Sequence, residues 1–220
     1  MSSKDHKTDA GFLYTTFPVG PLQCNCSIVW DEVSKEAILV DPGADYPKIE
    51  AALKTRGLIL KSVVHTHAHF DHIGASRKVH EQLKAPLHLH PEDKALWDNI
   101  LMQGKVFGFD LESTIPWQKD LVDEDSLTFG NFKMNVLHTP GHTPGSCSFS
   151  CSNIVFAGDT LFKNSVGRTD LWGGDFGTIQ KSIQERLYTL DDDTEVITGH
   201  GPSTKIGVEQ RSNPFVKGVR

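Results

Sequence analysis

Apolar residues along this chain come in short runs separated by turn residues, and the runs alternate between two periods. "SIVW" from Ser27 and "AILV" from Ala37 flank the polar "DEVSKE", which predicts a β-hairpin. "DPGAD" then breaks the sheet. "PKIEAALKTRG" predicts a helix with Pro47 near its start and Gly57 just past its end. "KSVVH" reads as the next strand, "IGASRKVHEQLKA" as a helix and "PLHLH" as another strand.

The second half repeats the alternation. "SLTF", Gly130 and "FKMNVLH" predict a hairpin, and "SCSFS" and "NIVFA" predict two further strands. "GTIQKSIQERLYTL" places Ile179, Ile183, Leu187 and Leu190 on one helical stripe, and "TEVIT" is a final strand before "GHGP". Two successive halves of strands and helices imply two sheets packed face to face with helices outside. The expected fold class is α/β, a four-layer αβ/βα sandwich.

Composition narrows the function classes. The sequence has 220 residues, enough for a sizeable core, with no repeat of fixed period. Its formal net charge is −6 and it carries no basic block, which argues against nucleic acid as a partner. No apolar run reaches membrane-spanning length, and "MSSKDHKTDAG" resembles neither a signal peptide nor a transit sequence. The expectation is a cytoplasmic protein with no membrane partner. Cys24, Cys26, Cys147 and Cys151 lack paired zinc-knuckle spacing and read as plain buried thiols.

One stretch breaks the ordinary pattern. "HTHAHFDHIGA" places four histidines and an aspartate within eight residues from His65. If it stays extended, His67, His69 and Asp71 share one face, and a following loop can turn His72 inward. Mixed imidazole and carboxylate donors suit zinc, iron or manganese. Further donors should arrive from other strand ends. His142 in "HTPGHTPGS", Asp159 in "VFAGDTLF" and His200 in "VITGHGP" each follow an apolar strand and sit beside glycine, where backbone can approach a ligand sphere.

"THAHFDH" matches the T-H-x-H-x-D-H signature of the metallo-β-lactamase fold, and the later His, Asp and His fall in the expected order. The resemblance implies two divalent metal ions, zinc first with iron or manganese as alternatives. It assigns His67, His69 and His142 to one ion, Asp71, His72 and His200 to the other, and Asp159 between them. "GDTLF", "SVGRTDLWGGD", "GHGPSTKIG" and "EQRSNPF" make the chain most similar to short glyoxalase II-like proteins. That resemblance implies a hydrolase of small thioesters such as S-lactoylglutathione, in which a metal-bridging hydroxide attacks the carbonyl. Asp71 would orient the hydroxide or relay its proton besides acting as a ligand.

Two departures bear on specificity. Glyoxalase II proper carries a C-terminal helical domain for glutathione, whereas this sequence ends twenty residues after His200 and reads as a single domain over 1–220. The last histidine continues as "GHGP" where that family has "GHEY". Arg168 aligns with a basic residue that contacts glutathione in the relatives; alternatively it pairs with Asp170 or Asp175 to fix its loop. The segment "ALWDNILMQGKVFGFDLESTIPW" is either an apolar wall beside the metals or packing on the protein's own sheet. Competing activities on the same residues are a persulfide dioxygenase with one iron on His67, His142 and Asp159, and a lactonase or β-lactam hydrolase.

Overall fold

The computed structural model describes residues 4–218, so the first three residues of the polar N-terminal stretch lie outside the described residues. One sheet runs β1 (His6–Lys7), β2 (Leu13–Val19), β3 (Cys24–Trp30), β4 (Glu36–Val40), β5 (Ile59–Val64), β6 (Leu87–Leu89) and β7 (Lys119–Asp120), in that spatial order. It is antiparallel up to β4 and parallel from β4 to β7. The second sheet contains β8 (Ser126–Phe129), β9 (Phe132–His138), β10 (Cys147–Cys151) and β11 (Ile154–Gly158). A small separate hairpin, β12 (Leu161–Phe162) and β13 (Ser165–Val166), follows. The second sheet is then completed by β14 (Glu195–Thr198) and β15 (Thr204–Lys205), in the order β15-β14-β11-β10-β9-β8.

Both faces of each sheet are covered, and the sequence runs explain how. Side chains alternate across a strand, so Ile28, Leu39 and Val63 face outward onto helices while neighbours Val29, Ile38 and Val64 face the other sheet. The second sheet does the same: Phe156 and Ile197 join the central layer, and Val155 and Val196 face the far helices. Strands buried on both faces are apolar runs rather than alternating ones, as "AILV" and "NIVFA" are. The helices α1 (Tyr46–Arg56), α2 (Phe70–Ile73), α3 (Ser76–Leu83), α4 (Lys94–Asp98) and α5 (Ile100–Phe107) belong to the first sheet's side. On the other side lie α6 (Phe176–Ser182) and α7 (Ile206–Ser212). This is the four-layer αβ/βα sandwich. Among the described residues no helix is long and apolar enough to cross a membrane.

Three local expectations change. β2 is not marked by the pattern analysis, because its two threonines and Pro18 obscure the apolar positions, which bury Tyr14 toward the second sheet and Phe17 and Val19 toward the helices. The helix expected over "IGASRKVHEQLKA" is split into α2 and α3: the Ala75 amide donates to the Pro42 carbonyl at 2.9 Å, and a Cβ on Gly74 would lie 2.5 Å from the Gly43 oxygen. The stripe Ile179-Ile183-Leu187 is buried as expected, but its last turn, Ile183–Leu187, is π-helical and Leu190 is only partly buried. Widening that turn changes the register of every side chain beyond it.

His65 and His88 make the fold sensitive to acid. His65 is fully buried, its Nδ1 donating to the His88 carbonyl at 2.8 Å and its Nε2 accepting from Ser76 Oγ at 2.7 Å. Burial pushes its pKa down to about 4, and burial reinforced by His65 does the same to His88. A histidine depressed in the folded state stabilises fully above its ordinary pKa near 6.5 and loses that contribution as pH falls toward 4. Urea denaturation at pH 7 and pH 5 should show the wild type losing on the order of 1 kcal/mol more than His88→Leu. Parallel losses in the two proteins would contradict the assignment.

Candidate metal centre

Every predicted donor stands where a strand of one sheet or the other ends. β5 delivers His65 and then Thr66–His69, which is an extended loop rather than the continuing strand expected for this stretch. His69 precedes α2, so Asp71 sits in the first helical turn and His72 one residue on. Asp71 therefore joins the site from a helix, not by two-residue alternation. His142 comes from the loop between β9 and β10, Asp159 follows β11, and His200 follows β14.

The ring nitrogens are oriented from behind. His142 Nδ1 donates to the Arg168 carbonyl (2.7 Å), His72 Nδ1 to Asp41 Oδ2 (2.9 Å) and His200 Nδ1 to the Leu22 carbonyl (3.0 Å). His67 Nδ1 lies 3.1 Å from Thr66 Oγ1, whose own proton goes to Asp41 at 2.6 Å. With Nδ1 protonated in all four, each ring presents the Nε2 lone pair. His69 contributes Nδ1 instead, 2.9 Å from His142 Nε2.

Those lone pairs converge. Three groups have donor atoms within 4.8 Å of one another: His67, His69 and His142; His67, His72 and Asp159; Asp71, His72 and His200. His72 Nε2 is 3.2 Å from His200 Nε2, which is 3.1 Å from Asp71 Oδ2. Asp159 spans the groups, with Oδ1 3.4 Å from His72 and Oδ2 3.6 Å from His142 and 3.8 Å from His200. Burial, followed by neighbouring imidazoles, holds His67 and His69 neutral, the latter at about 3. Burial alone would also lower His72 and His200, but the carboxylates around them, with Cys24 at His72, raise both instead. Asp71 and Asp159 are held ionised because the imidazoles outweigh the cost of burial.

Among the described residues three buried side-chain atoms have no hydrogen-bond partner, and two of them, His67 Nε2 and Asp159 Oδ1, lie in this site; the third is His88 Nε2. Buried polar atoms are nearly always paired, and lone pairs aimed at one another repel. Divalent cations satisfy both conditions, so the donor set fits metal ions. The fourth group of donors, His90, Glu92 and His138, differs: its two rings are stacked at 4.1 Å and 10°, and His138 Nε2 is engaged with the Pro144 carbonyl at 2.9 Å. It ties down the His142 loop.

Arg168 is exposed and forms a two-pronged ion pair with Asp170, both contacts 2.8 Å. Its carbonyl, not its guanidinium, reaches a site residue. Two buried carboxylates escape the sequence reading: Asp41, behind His72 and Thr66, and Asp93, behind the loops of His67 and His142. Asp41 carried a usable signal, since it follows an apolar strand and lies two residues before Gly43, much as Asp159 follows a strand and Gly158. Cys24 is also closer to the chemistry than its plain-thiol reading implied, with Sγ 3.5 Å from His72 Nδ1.

Gly43 sets the position of α2. A Cβ there would lie 1.6 Å from the Asp71 carbonyl oxygen, so Gly43→Ala must displace either the loop or the helix carrying Asp71 and His72. Overpacking of this kind costs about 1–3 kcal/mol, and the displaced donors should weaken metal binding by at least ~10-fold. Metal titration of the chelator-stripped variant checks this; wild-type affinity would mean the loop yields without moving α2.

Two facing sheets whose strand ends bring five histidines and two aspartates together define a metal-binding αβ/βα protein. The chain belongs to the metallo-beta-lactamase superfamily, whose family model matches residues 19–200, and it is a metallo-hydrolase of that superfamily. It is 39% identical over 204 residues to the Bacillus subtilis (strain 168) protein named probable metallo-hydrolase YqgX, covering 91% of this chain and 96% of that one. It is 36% identical over 203 residues to hydroxyacylglutathione hydrolase GloC of Haemophilus influenzae, covering 90% and 95% of the two chains. Among solved structures, BLEG-1 B3 metallo-beta-lactamase is 38% identical with a TM-score of 0.86, over 93% of this chain and all of that one. TTHA1623 in a di-iron-bound form is 39% identical with a TM-score of 0.82, over 90% and 98%.

Proposed function

We propose that this protein hydrolyses a small-molecule thioester of the hydroxyacylglutathione class in the cytoplasm, using two divalent ions, zinc in the first instance. The observation that carries this reading is the 36% identity to the Haemophilus hydroxyacylglutathione hydrolase across 90% of the chain. The convergence of all seven donors adds support. His67, His69 and His142 would hold one ion, Asp71, His72 and His200 the other, with Asp159 shared. Bound divalent ions lower the pKa of water and polarise an acyl oxygen. The protein's own part is to fix that chemistry in place. Asp41 and the Arg168 and Leu22 carbonyls orient the imidazoles, and Asp71, ionised and partly open to solvent, accepts the proton of the attacking water at its carboxylate. A thiolate leaves without strong acid assistance, so no further proton donor is required.

Arg168 is assigned to a carboxylate of the thiol half. Its exchange of Asp170 for substrate costs little, because exposed ion pairs contribute only about 0–1 kcal/mol. Arg168→Ala should raise KM several-fold and leave kcat nearly unchanged. An unchanged KM would leave Arg168 with its loop role alone. A second reading, β-lactam hydrolysis, draws on the 38% identity to BLEG-1. The deciding experiment is S-lactoylglutathione hydrolysis by protein of known metal content, with and without chelator. Chelator-sensitive release of glutathione supports the thioester reading. No release by fully loaded protein counts against it and directs the assay to β-lactams and then to oxygen uptake with glutathione persulfide.

A further inference from the structure

The wall beside His69 is apolar, and the chain builds it deliberately. A cavity of about 390 Å³ opens next to His69, lined chiefly by Leu96, Met102, Val106, Phe107 and Trp172. That volume lies at the lower end of the ~300–1,000 Å³ range of small-molecule pockets. Met102, Val106 and Trp172 are 63%, 73% and 57% exposed, an unusual concentration of large apolar side chains at one opening.

The segment "ALWDNILMQGKVFGFDLESTIPW" thus does both things open to it. Trp97 is buried in the outer core with Phe109 and Trp117 packed on that cluster, whereas Met102 and Phe107 face the cavity.

The two amide side chains in the lining are tied to the backbone. Gln103 accepts from the Phe70 amide at 3.1 Å and donates to the Ala68 and Leu96 carbonyls at 3.0 and 2.8 Å; Asn99 Nδ2 donates to the Ala95 carbonyl at 2.8 Å. Among the described residues no lysine or arginine lines the cavity. Charged groups buried here would lose hydration without compensation. A glutathione half, with two carboxylates and an ammonium, therefore belongs elsewhere. Rigidity is also present: Gln103 joins α5 to the backbone of Ala68 and Phe70, on either side of His69, and Phe107 stacks on Phe70 at 5.3 Å between centroids. These contacts fix the pocket wall to the donor loop.

We infer that this cavity receives the acyl half of the substrate and that a longer aliphatic or aromatic acyl chain is preferred to the small lactoyl group. The thioester half of this inference rests on the function proposed above; the apolar subsite does not. Straight-chain hydroxamates, from acetohydroxamate to octanohydroxamate, carry a metal-binding head and a variable tail, so calorimetric titration of the metal-loaded protein reads the subsite without turnover. Affinity should rise about two- to fourfold per methylene until the cavity is filled. The slope should be retained in Val106→Leu and largely lost in Val106→Asp, at a position exposed enough to take either change. A flat series in the wild type overturns the subsite, even if S-lactoylglutathione is hydrolysed.

S-acetyl-, S-butanoyl- and S-hexanoylglutathione complete the test. A kcat/KM that climbs with chain length in step with the hydroxamates supports the acyl assignment. Rising hydroxamate affinity with no thioester cleavage retains the apolar subsite and removes the thioester reading. Cleavage indifferent to chain length overturns the acyl assignment.

Discussion

Asp159→Ala protein should bind at most one metal ion per chain and lose nearly all hydrolytic turnover while remaining folded. Asp159 is the carboxylate within reach of ring nitrogens from both halves of the site: 3.4 Å to His72, 3.6 Å to His142 and 3.8 Å to His200. Its Oδ1 is buried and accepts no hydrogen bond. Its backbone is pinned by close approach of Gly167, where a Cβ would lie 1.8 Å from the Asp159 carbonyl oxygen. Removing the side chain deletes one of the two carboxylates in the donor set, and no neighbour among the described residues can replace it. Losing a residue that merely orients a ligand costs ~10–100-fold in affinity or activity, so losing a shared ligand should exceed that. In chelator the variant should lose some stability, because the carboxylate's favourable interaction with the surrounding imidazoles goes with it, while circular dichroism still reports a folded chain. Metal content per chain, turnover and circular dichroism together check the expectation. Two bound ions with near-wild-type rate would move the bridging role to another residue.

How much of this was legible before the structure depends on distance along the chain. His67, His69, Asp71 and His72 are crowded into six positions, so their common purpose is visible without any fold. His142, Asp159 and His200 are far apart, yet each has the same local signature of an apolar strand followed by glycine, and topology brings those ends together. The local geometry was less accessible. Only contact with the loop at Pro42 and Gly43 ends the extended stretch and turns Asp71 onto a helix, and that contact spans about thirty residues. Apolar runs such as "AILV" reveal strands buried on both faces, whereas β2 hides behind Pro18 and its threonines because pairing with β3, not its own pattern, defines it. Asp41 and Asp93 were missed for a related reason. Their chemistry lies wholly in what they hold from behind; Asp41 at least follows an apolar strand near Gly43, whereas Asp93, a lone acid in a turn, carries no mark of being buried.

Asp93 offers the sharpest test of that supporting layer. It ends a short 3₁₀ turn after β6 and is fully buried. Oδ2 accepts from the Ala68 amide at 2.8 Å and from Thr143 Oγ1 at 2.9 Å; Oδ1 accepts from the Gly145 amide at 2.7 Å. Ala68 lies between His67 and His69, and Thr143 and Gly145 flank the His142 loop, so one carboxylate sets donors from two sheets in register. Burial raises its pKa, and these three donors work against that rise. Asp93→Asn cannot substitute. Thr143 can reverse its hydroxyl, but both amides need an acceptor, and an amide group turned either way presents NH₂ to one of them. Each buried donor left unpaired costs about 1–3 kcal/mol, so Asp93→Ala should lose on the order of 4 kcal/mol and Asp93→Asn somewhat less, against ~1 kcal/mol for Thr143→Val. That is a large share of a typical ~5–15 kcal/mol of folding stability. Metal affinity should fall ~10–100-fold in both Asp93 variants, because the His67-His69 and His142 loops lose their common anchor. Urea denaturation in chelator reads the first effect and metal competition under native conditions reads the second. If Asp93→Asn loses stability but keeps wild-type metal affinity, Asp93 holds the fold together and the donors find their register by another route.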